Sequence, residues 1–440
     1  MKRRAWKIIL GLLGGAGLAF FGVVWSAHRR ANEVFERHDR LVREAIESIR
    51  ARSARRPSLY DPPIEGNGWT AYMDALNGIT AIPAEEGDEI PAIKGEPEFV
   101  PDRERLGEVF QKYAPLIDDL RKSFRHDKFV PKYDYEQGLA APMSNISEAI
   151  RTARYLSGLA EYLHEEGQDG PALEALTLGL ALGHDTGRSG PIVNQLVQIV
   201  CESIEAWGVR DLLSGHSLEA ADLESFARKL DRLSDARPSV ADSFAVEDAL
   251  MRRTIVEYGR GSPVAMSLNG FNNVWLRRSW RYFFSNRLAL AGALGELEDA
   301  FRQARAVSGL APHLRAEAMR KDADRVMASK NPVVLMLYPA VSKVYARDAF
   351  SQMELTLMRV ATAIAWYESE RGQPPEKLAD LVPRYLPRVP ACPLTGMPLG
   401  YRDGAVWSPG KNGIDDGGTP GRDNDPDAED GDVVWWVRRE

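Results

Sequence analysis

Hydrophobic residues follow three different rhythms along this chain. From Ile8 to Ala27 they form a nearly unbroken run, interrupted only by small residues and Ser26. From there to about Asp348 they recur every three or four positions, the period of helices that bury one face. From about residue 351 onward the helical rhythm stops after one segment, and short apolar runs alternate with Gly, Pro and Asp. These rhythms predict a mainly α protein with four parts: an anchor over 1–30, an amphipathic helix and surface loop over 31–100, an α-helical domain over 101–345, and a small α+β module over 346–440.

The first run matches the roughly 20 residues that span a bilayer as a helix. Trp6 and Trp25 stand near its ends, where indoles favour the headgroup region. Lys2, Arg3, Arg4 and Lys7 precede it, whereas Arg29, Arg30, Arg37 and Arg40 beyond it are diluted by Glu33, Glu36 and Asp39. The competing reading is a cleaved signal peptide, but the exit Val24-Trp25-Ser26-Ala27 puts a bulky ring where a small residue is wanted. The expectation is an uncleaved, single-pass transmembrane helix in a bacterial inner membrane. It would meet the lipid bilayer through residues 8–27, with the N-terminus inside and the rest outside the cytoplasm.

Beyond it, Val34, Leu41, Val42, Ile46 and Ile49 predict a stalk-like amphipathic helix ending at Arg55-Arg56-Pro57. Trp69, Tyr72, Met73 and Leu76 start a short helix, and Gly78 to Pro101 reads as a surface loop. Leu106 to Leu120 predicts a helix, as does Ile146 to His164. The turn at Gly167 to Gly170 leads into a third helix from Pro171. This pair resembles one tetratricopeptide hairpin, without repetition at a fixed period. Ile192 to Leu213 reads as a helix with Leu196, Ile199, Val200, Ile204 and Trp207 inward. Helices over Leu218 to Leu233, Val240 to Tyr258 and Asn273 to Ala306 complete the domain. The last opens on Trp275, Trp280, Tyr282, Phe283 and Phe284, which form core or a partner surface.

The C-terminal segment starts with a helix carrying Met353, Leu357, Val360, Ile364 and Tyr367, which Gly372 terminates. Leu378 and Leu381 mark a short helical turn, and Asp403-Gly404 signals a two-residue hairpin. The order Tyr367, Gly372, Pro375, Leu378, Leu381, Pro393, Gly396, Pro398, Tyr401, Ser408, Gly410, Gly413, Gly417, Gly418 and Asp432 resembles the globular domain of the major pseudopilins of type II secretion systems. The resemblance covers about a fifth of the chain and implies that domain's fold and its calcium-binding loop. Asn412 stands where the family has Asp, and the insert from Asp423 to Asp430 is longer than usual. No processed prepilin N-terminus precedes the module.

Charge sharpens the same point. The net charge is −7, and Asn412 to Glu440 supplies six of those seven with nine acids against three bases. An acidic, glycine-rich loop between two strands suits a hard cation, because calcium takes six to eight oxygens from carboxylates and carbonyls alike. The expected calcium ligands are Asn412, Asp415, Asp416 and Asp432. Asp423-x-Asp425-x-Asp427 is no EF-hand, since Pro426 and Ala428 occupy its fourth and sixth positions and Val434 its twelfth.

Little else in the sequence carries chemistry. The acidic balance argues against nucleic acid as a partner. Two cysteines, Cys201 and Cys392, make no disulfide framework. His164-Glu165-Glu166-Gly167 lacks the second histidine of a zinc motif, and His184-Asp185 is a lone pair near a helix end. The run Arg50 to Arg56 reads as a solvated helix end or a lipid contact. No catalytic residue is assigned. The expected function is a membrane-anchored scaffold or accessory interaction protein at the cell envelope, beside a secretion or pilus-like apparatus. The alternative is an enzyme whose site gathers acids around His184 or His216 in the helical domain.

Overall fold

The computed structural model describes residues 2–53, 56–90, 102–141, 145–188, 190–215, 217–260, 287–338, 343–422 and 430–437, with residues 2–24, 52, 53 and 337 as backbone only. Helices dominate it. In chain order they are α1 (Lys2–Ser53), α2 (Trp69–Thr80), α3 (Ala84–Gly87), α4 (Arg103–Arg125), α5 (Ile146–Glu165), α6 (Asp169–Gly187), α7 (Ile192–Ser214), α8 (Ala220–Asp235), α9 (Val240–Gly259), α10 (Arg287–Val307), α11 (Pro312–Met327), α12 (Pro332–Leu337) and α13 (Val344–Arg371). Local signals set several ends. Asp102 accepts from the Glu104 and Arg105 amides to cap α4, and Ser239 accepts from Asp242 N to cap α9. Gly372, at φ 76°, closes α13 in the left-handed region.

The expected helical domain is present. Between residues 102 and 338 the described strand is β2 (His126–Lys128), which pairs in parallel with β1 (Ile64–Asn67). The segment read as a surface loop after Gly78 is instead partly helical, because Ile82 and Ile90 are buried. The α5–α6 hairpin forms as read, with Gly167 at φ 71° in its turn.

The membrane-spanning expectation is corrected. Among the described residues no helix is long and apolar enough to cross a membrane. Anchor and stalk are not separate elements but one unbroken helix, α1. From residue 25 onward its apolar face meets protein: Ala31 and Phe35 pack into a core built from α9, α10 and α13, and Val42, Ile46 and Ile49 pack beside Val246 and Leu250 of α9. Phe35 sits so near Gly259 that a Cβ there would lie 2.3 Å from its ring. Asp39, buried on the same face, pairs with Arg253 at 2.7 Å and Arg260 at 3.0 Å. The side chains of 8–24, on which the expected lipid contact falls, lie outside the described residues.

Helix α7 is turned the opposite way from its apolar pattern. Trp207, Val200 and Leu196 are 46%, 41% and 38% exposed, while Asn194, Gln195, Gln198, Glu202 and Glu205 are buried. The cause lies in α6, which places Gly179, Gly183 and Gly187 on one face, one per turn. A Cβ at Gly179 would lie 1.9 Å from Glu205 Oε1, and one at Gly187 would lie 2.0 Å from Gln198 Oε1. At Gly183 it would come within 2.8 Å of Cys201 Cβ. The missing side chains leave room that the polar face of α7 fills.

The C-terminal segment folds as its turn signals predict. Leu378–Leu381 is a 3₁₀ turn, and β3 (Gly400–Arg402), β4 (Ala405–Pro409) and β5 (Asp432–Trp436) form an antiparallel sheet in that order. Asp403 and Gly404 both have positive φ, 48° and 83°, as a tight hairpin needs. Val406 pairs with Trp435 and Trp407 with Val434. One apolar core joins this sheet and α13 to α2, α4, α5, α6, α7 and α8, running from Leu59 to Val437.

Candidate functional site

The run His184-Asp185-Thr186-Gly187-Arg188 ends an otherwise apolar helix, and its first four residues are all buried. Each of the five reaches a different part of the chain. Asp185 is ion-paired with buried Arg56, whose guanidinium also donates to Ser123 and to the His126 carbonyl. Thr186 Oγ1 lies 2.6 Å from Tyr72 Oη, and its carbonyl accepts from Asn194 Nδ2 at 3.0 Å. Arg188 donates to the Ala236 carbonyl at 3.3 Å. Gly187 gives room to Gln198. Arg56 is thus buried and paired, not the solvated or lipid-facing end that its run suggests.

His184 opens a second chain of charges. Its Nε2 is 3.0 Å from Glu202 Oε1, close but not aligned as a hydrogen bond. Burial lowers the His184 pKa despite the raising effect of Glu202, so the ring is neutral. Glu202 is fully buried as well. Burial alone would raise its pKa, but Arg237 overcomes that and holds it well below the usual carboxylate range. Arg237 grips both oxygens, Nε to Oε1 and Nη2 to Oε2, each at 2.8 Å, and gives Nη1 to Asp348 at 2.6 Å. Gln198, Ser351 and Gln352 complete the shell around the two carboxylates.

This chain ends at a cavity of about 320 Å³. Its wall comes from the α8–α9 turn, α11 and α13, with Arg237, Arg315, Asp348, Gln352 and Arg359 among the polar side chains. A separate group, Glu205, faces Gly179. Both its oxygens lack a hydrogen-bond partner among the described residues, and burial pushes its pKa well above the usual value. Burial thus favours the protonated acid.

The expected calcium loop is corrected. Among the described residues no group of three or more His, Cys, Asp or Glu is arranged to hold a metal ion. The four expected ligands do meet, but through hydrogen bonds to the loop itself. Asp432 Oδ1 accepts from Asp416 N at 3.1 Å and Oδ2 from Gly418 N at 2.7 Å. Asp415 Oδ1 accepts from Trp407 Nε1 at 2.9 Å and Gly417 N at 3.0 Å. Asn412 accepts from Ile414 N and donates to Asp416 at 3.3 Å. Backbone amides, several of them in the stretch with glycines at positive φ, are the main partners these side chains have among the described residues. The insert 423–429 lies outside the described residues.

Also outside them lie His216 and the aromatic run Trp275 to Phe284. His164 pairs with Asp169 at 2.7 Å and takes no part in the charge chain. Both cysteines are free and buried, Cys392 beside Ser408. Of the residues singled out from sequence, the chain uses His184 alone, and Asp185 turns away from it toward Arg56. Glu202, Glu205, Arg237 and Asp348 went unread. The available signal was a second, polar stripe in α7, since Asn194, Gln198, Glu202 and Glu205 also recur at three and four. Compared with known proteins, the chain matches no family model, no curated protein and no solved structure.

Proposed function

We propose that this chain is a scaffold or accessory interaction protein that binds a partner protein along the outward face of α7. The inverted face of that helix carries the reading. Leu196, Val200 and Trp207 hold apolar surface in solvent at helical spacing, with Val193, Ile199 and Ile204 half-buried beside them. Such a stripe, four turns long, suits an amphipathic helix of the partner with anchors at the same spacing. A Trp at its end is the residue type that most often dominates binding energy. The pseudopilin-like order of the C-terminal segment supports a setting beside a secretion or pilus-like apparatus.

A photocrosslinking residue at Val200, in the full chain in its native cells, tests this. One discrete protein adduct is expected, and Trp207→Asp should abolish it while leaving the helical content unchanged. If Val200 gives no more adduct than exposed Arg228 on α8, the reading fails. The enzyme reading has one observation in its favour, the contact between the His184 charge chain and a cavity. Yet Ser234, Ser239 and Ser308 of that wall have no histidine beside them among the described lining residues, and the neutral His184 lies behind Arg237. Binding fits that cavity better than nucleophilic chemistry does.

A further inference from the structure

We propose that the cavity between the α8–α9 turn, α11 and α13 binds a small organic anion by its carboxylate or phosphate head. The wall holds three guanidiniums, Arg237, Arg315 and Arg359, against one carboxylate, Asp348. The other acids that pair with these arginines, Glu202 and Asp231, are not part of the wall. They hold the guanidiniums in place from outside it.

Donor capacity remains on those arginines. Arg359 gives Nε and Nη2 to Asp231, which leaves Nη1 uncommitted among the described residues. Arg315 gives Nε to the Leu310 carbonyl, and its Nη1 is 3.9 Å from Asp348, beyond hydrogen-bond reach. Planar guanidiniums with open N–H groups recognise oxyanions in paired bonds. The start of α9 adds to this. Pro238, Ser239 and Val240 line the cavity, so the positive end of a twenty-residue helix faces the same space.

Size and the remaining wall define the ligand class. A volume of about 320 Å³ is at the small end of ligand sites. Val240, Leu355 and Tyr345 supply apolar wall for a short carbon skeleton. A dicarboxylate or a small phosphate ester has these properties. The inference is independent of partner binding at α7, because the described lining residues come from other elements.

Thermal unfolding and calorimetric titration of the full chain with sodium phosphate and with sodium succinate, each against sodium chloride at equal ionic strength, tests it. At least one anion should raise the midpoint saturably, and the arm that does so identifies the head group. Arg315→Gln and Arg359→Gln should each weaken binding tenfold or more. Both side chains are partly exposed, at 19% and 24%, so the fold tolerates the change. Arg103→Gln, on α4 and outside the wall, should bind as the parent does. The proposal is overturned by a rise no larger than that with chloride, by a rise that never saturates, or by binding that survives both substitutions.

Discussion

Glu202 and Glu205 stand three residues apart on one helix, both buried, and respond to pH in opposite senses. Glu205 is held protonated by burial, so the folded state binds its proton more tightly than the unfolded chain does. Its contribution is complete below about pH 4.5 and falls as pH rises toward the folded pKa. Glu205→Gln keeps the shape without the charge. It should be more stable than the parent at pH 8 and equal to it near pH 4, as denaturant midpoints at the two values will show. Glu202 is held ionised by Arg237, and its contribution is lost only as pH falls below the normal carboxylate range. Removing its partner is costly at neutral pH. Arg237→Gln leaves Glu202 and Asp348 buried with too few donors and should destabilise by about 3–5 kcal/mol, measured by urea unfolding. In the acidic loop, Asp432→Ala removes the acceptor of two amides and should lose about 1–3 kcal/mol. Equal loss in chelator and in added calcium is expected if the amides alone account for it.

At the scale of elements, the α6–α7 contact depends on glycine. Gly179→Ala drives a methyl into the Glu205 carboxyl and should cost about 1–3 kcal/mol. Adding Glu205→Ala should recover most of that loss, and a double-mutant cycle on melting will measure the coupling. The same contact explains what sequence could convey. The α5–α6 hairpin, the Gly372 stop and the Asp403-Gly404 turn are local devices, and all were legible. The facing of α7 was not. Its apolar stripe, Leu196 to Trp207, and its polar stripe, Asn194 to Glu205, share one period, so periodicity cannot say which turns inward. The glycines of α6 decide it, and they act from another helix. Arg56, Arg237 and Asp348 were illegible for the same reason, since their partners lie far away along the chain.

Across the whole molecule, α13 and the C-terminal sheet share one core with the helices that precede them. Met353, Leu357 and Ile364 are wholly buried in it, as are Tyr155, Leu176 and Leu182. A fragment of residues 344–440 therefore lacks most of the surface that covers α13. It should show no cooperative thermal transition, whereas the full chain should lose its helices and its tryptophan environment at a single midpoint. The end of α6 carries a further consequence. The five residues from His184 to Arg188 tie down Glu202, Arg56, Tyr72, Gln198 and the α8–α9 turn at once, so no one of these contacts can let go while the others hold the helix end in place. Amide protons there are exchanged for deuterium only when the entire body opens. Under native conditions the amides of His184 to Arg188 should rank with the slowest in the protein, and a small amount of denaturant should speed all five by a common factor.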